Sequence, residues 1–248
     1  MAEPAFGGTT TSPSPDDVAA AALTAFARDG YADTKLEQLA KDTGMTKRMI
    51  HYHFGDKKGL YLRALRLALS RVAPPEDVLD RSYAVPVEGM RRFVDALYHA
   101  YLDNPDAVRL VIRENVDPVL DEDEAALLPG ATDVTLHVER LVLAGQDAGA
   151  FRPGISAVDV LILATSLSSF RVGSGVTALH VGHVDVDDQR NIDGIRRLVI
   201  DTVLAFLTSN IPDSGYESYV QPAATPAPDD AVPPSEFSDV YDDGGRMV

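Results

Sequence analysis

Apolar residues along most of this chain recur every three to four positions, the spacing of one helix face, and no alternating stretch of useful length interrupts them. The first stretch, about residues 16–29, sets Val18, Ala21, Ala22, Ala25 and Phe26 on one side. Gly30 ends it, in the left-handed conformation that glycine adopts without steric cost. A second helix is expected from Thr34, read as its N-cap, with Glu37 three residues on completing a capping box. Leu36, Leu39 and Ala40 make its buried face, and Gly44 breaks it. A short third helix follows Thr46, its cap, to about His53, and Phe54 and Gly55 close it. Asp56 caps a longer fourth helix bearing Leu60, Tyr61, Ala64, Leu65, Ala68, Leu69 and Val72, which Pro74 and Pro75 stop.

Further helices are expected at 86–104, 107–116, 132–149, 156–172 and 191–210. An acidic loop over 117–130 and a second loop over 173–189 separate them. Residues 1–14 are small, polar and proline-containing, and are expected to be a disordered arm. From residue 212 the chain is rich in Pro, Ser and Asp and has no periodic apolar face to offset ordering entropy, so 212–248 is expected to be a disordered acidic tail. The expected fold is all-α: a three-helix helix-turn-helix unit at 15–72, then a larger helical domain at 73–211.

Composition narrows the chemistry. The 248 residues contain no cysteine, which excludes disulfides, Cys-ligated zinc, iron–sulfur clusters and a thiol nucleophile. The most apolar run, 160–170, falls short of the ~20 residues of a membrane span, so none is expected. With Glu3 and no basic or apolar leader at the start, the expected location is the cytoplasm. The formal charge is −16, but it is unevenly spread. Residues 35–71 hold nine Lys or Arg against three acids, whereas 212–248 hold eight acids against Arg246. A basic island in an acidic protein concentrates attraction for phosphate in one place.

That island coincides with a helix, a glycine turn and a short helix, the arrangement of a helix-turn-helix DNA reader. Small Ala40 lets the two helices approach, Gly44 suits a turn with positive φ, and Met45 and Ile50 can dock the second helix on the first. Lys47, Arg48, His51 and Tyr52 are then outward, where long donors reach base edges in the major groove.

Here the sequence resembles the TetR/AcrR family of bacterial transcriptional regulators. The residues that carry the resemblance are Thr34, Ala40, Gly44, Thr46, Ile50, Tyr52, His53, Phe54 and Lys57, at fixed spacing within 18–65. The resemblance implies that Lys47, Arg48 and Met49 face bases, and that Thr46, Tyr52, His53 and Lys57 hold phosphates. Thr34 and Lys35 would clamp the backbone across the groove. Readings in which His53 caps its helix and Tyr52 packs remain open, and Phe54 reads as core. Three residues depart from the pattern: His51 replaces a tyrosine, Glu37 stands where a base is common, and Gly59 replaces a glutamate and is expected to fray the fourth helix.

The resemblance also implies a homodimer, a double-stranded DNA operator and a small-molecule effector not identifiable from the sequence. Apolar stripes suited to a two-fold four-helix interface occur on the last two helices. One carries Val158, Leu161, Ile162, Thr165, Ser169 and Val172; the other Ile192, Ile195, Val199, Val203, Phe206 and Leu207. Candidate effector contacts are the polar or aromatic residues amid apolar helix: Tyr98, His99, Arg113, Asn115, His137, Arg140 and Phe170. The helix carrying Arg113 and Asn115 would link the pocket to the reading heads.

No cofactor, metal or catalytic residue is assigned. His180 and His183 sit three apart near Asp185, Asp187 and Asp188, but Gly182 points to a loop rather than a ligand-bearing helix. The expected function is a ligand-responsive DNA-binding regulator, a repressor released from a palindromic operator by a small molecule. The alternative is a helical binding protein that has lost DNA binding, which Glu37 and the overall acidity would favour.

Overall fold

The computed structural model describes residues 13–128, 132–212, 215 and 218–220, and these form helices with no strand among them. In chain order they are α1 (Pro15–Asp33), α2 (Leu36–Thr43), α3 (Lys47–Phe54), α4 (Lys57–Val72), α5 (Glu76–Leu79), α6 (Pro86–Asp103), α7 (Pro105–Val116), α8 (Glu122–Ala125), α9 (Thr132–Asp147), α10 (Ala157–His180) and α11 (Gln189–Thr208). The expected N-terminal arm lies outside the described residues as far as Ser12. So does most of the expected tail.

Local chemistry sets the helix starts. Ser14 caps α1: its hydroxyl accepts from Asp17 N at 3.1 Å, and the Asp17 carboxylate accepts from Ser14 N at 3.0 Å. Gly30 does take a positive φ, 82°, but the chain turns helically again to Asp33. Thr34 is not the cap of α2. Lys35 occupies that position without a side-chain bond, and Thr34 is buried, donating its hydroxyl to Gly30 O at 2.7 Å. That bond satisfies a carbonyl near the kink, which explains why the threonine turns inward.

Gly44 adopts φ 73°, ψ 3°, the left-handed turn that joins α2 to α3. Thr46 caps α3 and Asp56 caps α4, accepting from Gly59 N at 2.7 Å. Gly59 does not act as the fraying defect expected. A Cβ there would lie 2.0 Å from Phe54 O, so its absence lets the end of α3 press against the first turn of α4. Glycine to alanine inside a helix ordinarily stabilises by about 1 kcal/mol. Here the backbone clash reverses the sign, and Gly59→Ala is expected to cost about 1–3 kcal/mol, read as a lower thermal midpoint. A rise in midpoint would refute the close approach.

Two hydrophobic clusters follow. The first joins Val18, Leu23 and Phe26 of α1, Ile50 of α3 and Leu60, Tyr61 and Leu65 of α4 to Val108 and Leu110 of α7. Phe26, Tyr31 and Tyr61 form a ring triad with centroids 5.1–5.9 Å apart. The second cluster joins Met90 and Phe93 of α6, Val138 of α9, Val160 of α10 and Val199, Val203 and Leu207 of α11. Tyr101 packs against both.

Three sequence expectations change. α5 and α8 are short helices not foreseen, the second held by an Asp121–Glu124 capping box inside the expected acidic loop. α10 does not end near residue 172 but runs on to His180 through Gly173 and Gly175. A Cβ on Gly175 would come within 3.0 Å of Val186 Cγ2, so packing against the following loop offsets the poor helix propensity of glycine. At 24 residues, with a mean hydropathy of 1.3 over its most apolar window, α10 is long and apolar enough to cross a membrane by length and composition alone. The 11-residue run read from the sequence understated it, because that run stopped at Arg171 whereas the helix continues through the uncharged residues 172–179.

Candidate nucleic-acid interface

The turn at Gly44 presents α3 with one face in and one face out. Ile50 is fully buried and Met45 nearly so, which anchors the helix on α1, α2 and α4. Lys47, Arg48, Met49, His51, Tyr52 and His53 are exposed, Tyr52 at 80%. The ten DNA-contact candidates therefore divide. Thr46 through His53 are exposed apart from Ile50, and Lys35 is exposed at the start of α2. Thr34, buried and bonded to Gly30 O, is not among them. Lys57 is half-buried at the start of α4, its ammonium 3.1 Å from Ala32 O and 4.6 Å from the Tyr31 ring centroid. Burial holds the Lys57 pKa below the usual lysine range, with Asp33 opposing.

Lys47 is ion-paired with Glu37 across the turn, and that hydrogen bond holds the Glu37 carboxyl below its ordinary pKa. Glu37 thus competes with any phosphate or base for Lys47. Arg48 carries no ion pair or side-chain hydrogen bond among the described residues, so its guanidinium fork is available. His51 turns its Nδ1 to Gly55 O at 2.8 Å, which closes the end of α3. Tyr52 and His53 meet edge to face at 5.1 Å.

The seven effector candidates are not gathered into one pocket. A cavity of about 170 Å³ lies between α4, α6, α7 and α10, lined by Val72, Tyr101, Val108, Val111, Ile112, Asn115, Thr165, Ser166 and Ser169. Of the candidates only Asn115 is there. Tyr98 donates to Ile192 O at 2.9 Å, and His99 leans on Asp95 of its own helix. Phe170 is exposed on the outer face of α10. Arg140 reaches Leu79 O at 3.4 Å. Sequence reasoning missed the hydroxyl-bearing wall of α10, because Thr165 and Ser169 fell on the stripe read as a two-fold interface.

Arg113 points the other way, into the first cluster. Its Nε donates to Ala27 O at 2.8 Å and its Nη2 to Arg28 O at 3.0 Å, gripping α1 just before the Gly30 kink. The neighbouring Glu114 accepts from Tyr61 Oη of α4 at 2.7 Å and from Val119 N and Leu120 N. Burial raises the Tyr61 phenol pKa and the Glu114 bond acts in the same direction, so it stays a donor. One short stretch of α7 therefore lines the cavity through Ile112 and Asn115 and clamps α1 and α4 through Arg113 and Glu114.

His137 is buried against Phe93, with ring centroids 5.7 Å apart, and its Nδ1 lies 2.7 Å from Leu79 O. A carbonyl only accepts, so Nδ1 carries the proton and Nε2, which has no partner among the described residues, is left bare. Burial pushes the His137 pKa down and Arg140 adds to this, while the Leu79 bond and Asp80 oppose. A base with a folded pKa below its unfolded value of about 6.5 binds fewer protons folded than unfolded. Its contribution is thus complete above about pH 6.5 and is lost as the pH falls below that. Urea midpoints at pH 7.5 and 5.5 are expected to differ less in His137→Gln than in the parent chain. An equal drop in both would assign the sensitivity elsewhere.

Comparison with known proteins bears on the same surfaces. Residues 18–64 match the family model described as bacterial regulatory proteins, tetR family, and residues 86–203 match the model described as the tetracyclin repressor-like C-terminal domain. The chain is 26% identical over 176 residues to the HTH-type transcriptional repressor NicS of Pseudomonas putida, spanning 71% of this chain and 83% of NicS. A solved bacterial regulatory protein in the tetR family from Rhodococcus RHA1 superposes with a TM-score of 0.61 at 21% identity, over 79% of this chain and 98% of that one. AibR, solved with isovaleryl coenzyme A and operator DNA, superposes with a TM-score of 0.58 at 15% identity, over 78% and 97%.

Proposed function

Because this chain belongs to the TetR family of bacterial transcriptional regulators, we propose that it is a repressor whose two heads hold a palindromic operator until a small molecule releases it. The observation that carries the reading is the exposed Lys47–His53 face of α3, set outward by the left-handed turn at Gly44 and fixed by buried Ile50. In the major groove, Lys47, Arg48 and Met49 at the start of α3 read bases. Thr46, Tyr52, His53 and Lys57 hold the phosphates on either side.

The chain pairs with a second copy through α10 and α11. Support comes from apolar side chains left exposed on their outer faces: Ile162, Phe170, Val176 and Leu179 on α10, and Leu198 on α11. Val199, Val203 and Leu207, expected at that interface, are buried in the chain's own second cluster, so the outward stripe of α11 lies one residue earlier in register. A helix that packs against a second copy is apolar on both sides, which also accounts for the composition of α10.

The effector occupies the cavity bounded by Tyr101, Ile112, Asn115 and Ser169. Its walls are uncharged, and at about 170 Å³ it is smaller than the roughly 300–1,000 Å³ of drug-sized pockets. A small, neutral, largely apolar molecule bearing one or two hydrogen-bonding groups suits it. Such a ligand displaces α7, and α7 moves α1 and α4 through Arg113 and Glu114, changing the separation of the heads.

A gel-shift titration with the DNA upstream of the protein's own gene tests the reading. Specific binding that weakens steeply with salt is expected, since phosphate contacts release counterions. The alternative, a binder that has lost DNA recognition, predicts only weak binding with equal affinity for every sequence.

A further inference from the structure

Residues 218–220 lie against the body at a site formed by three elements. Asp159, in the first turn of α10, is 6% exposed. Its Oδ2 accepts from Ser156 N at 2.8 Å, from Ser156 Oγ at 3.0 Å and from Tyr219 N at 3.2 Å. Its Oδ1 accepts from Val220 N at 2.9 Å, and among the described residues that is the only donor it has. Beside it, the Arg152 guanidinium lies against two neighbouring rings, 4.7 Å from the centroid of Phe206 and 5.6 Å from that of Tyr219. Arg152 Nη2 also donates to Tyr219 Oη at 3.1 Å, and its Nε to Phe206 O at 2.9 Å. The rings of Phe206 and Tyr219 meet at 5.5 Å.

This is more than a chance contact of a tail with a surface. A capping box uses one carboxylate oxygen, and the second is ordinarily left to water. Here the second oxygen is turned to a backbone N–H sixty-one residues away. The Arg152 guanidinium, already against the Phe206 ring and bonded to its carbonyl, likewise gains a second ring contact and a hydroxyl acceptor from Tyr219. Two consecutive backbone N–H groups converge on one carboxylate because the chain bends at Tyr219 and Val220, and Tyr219 adds its ring and hydroxyl to that contact.

We propose that Arg152, Asp159 and Phe206 form a docking site for the chain's own segment 218–220, which straps the first turn of α10 to the last turn of α11. Residues 218–220 are then a working part of the body. The strap spans the two helices assigned above to subunit pairing. For that consequence alone it rests on the reading of the chain as a dimer.

Backbone hydrogen exchange and thermal melting of the full chain test the site without DNA. The amides of Tyr219 and Val220 are expected to exchange at least ~10-fold more slowly than an unstructured chain, and to lose this protection in Arg152→Ala. Tyr219→Ala and Arg152→Ala are each expected to lower the midpoint by roughly 2–4 °C, and the double variant by no more than the larger single loss. Unprotected amides in the parent chain, or losses that simply add, would overturn the docking site. Should Arg152→Ala fold poorly, Tyr219→Phe serves instead: it keeps the ring and loses only the hydroxyl bond, so it must melt above Tyr219→Ala. Sedimentation measures the consequence. A dimer dissociation constant about 10-fold higher in Tyr219→Ala supports bracing of α10 and α11, an unchanged one refutes bracing, and a monomeric parent chain refutes the dimer reading while leaving the exchange result standing.

Discussion

Arg48→Ala is expected to weaken binding to the cognate operator by about 10- to 100-fold and to erase discrimination at the base pair that Arg48 reads. The size follows from what surrounds the two cations at the start of α3. Lys47 must leave Glu37 before it can serve DNA, so part of its interaction is offset by the lost ion pair. Arg48 breaks no described contact, and its planar fork matches the acceptors of a guanine edge in pairs. Lys57→Ala is the useful contrast. Its ammonium sits at a helix start beside Ala32 O, suited to a phosphate, and its loss is expected to weaken all sequences alike while reducing the salt slope by about one. Titrations on the operator and on single-base variants at several salt concentrations separate the two. A uniform loss for Arg48→Ala would place that residue on the sugar–phosphate backbone.

Phe26→Ala is expected to cost about 3–5 kcal/mol, a fall of roughly 10 °C or more in the thermal midpoint. Phe26 is fully buried, packs on Tyr31 and Tyr61, and belongs to the cluster that α7 shares with the head. For that reason the variant is also expected to unfold in one transition, taking the cavity wall with it. A head stabilised only by α1–α4 would melt first and separately, leaving α6 and α9–α11 folded. Two resolved transitions by circular dichroism would therefore contradict the shared core, even if the total loss were of the expected size.

The same cluster explains how the proposed release mechanism can work at all. Coupling between sites requires an element that both sites bias. α7 meets that condition through adjacent residues: Ile112 and Asn115 on the cavity, Arg113 on the carbonyls of α1, Glu114 on the hydroxyl of α4. On a helix, successive residues point about 100° apart, so a four-residue stretch reaches both sides of one wall.

Much of this protein was legible from residue order. Gly44 between two apolar-faced segments, with Met45 and Ile50 after it, specifies a tight turn and a docked helix by local sterics and periodicity. The outward residues of α3 follow from the same period. Capping at Thr46 and Asp56 is equally local, since each bond spans three residues. What the tertiary structure decided were the interactions that neither helical period nor capping specifies. Thr34 turned inward because Gly30 left a carbonyl to satisfy, Gly59 proved necessary because Phe54 O lies over it, and Arg113 left the expected pocket for the carbonyls of α1. Periodicity states which face of a helix is apolar. It does not state which neighbour will cover that face, because this depends on how several helices share a limited interior, and so the cavity, the clamp on α1 and the anchorage of Tyr219 emerged only once the helices were packed.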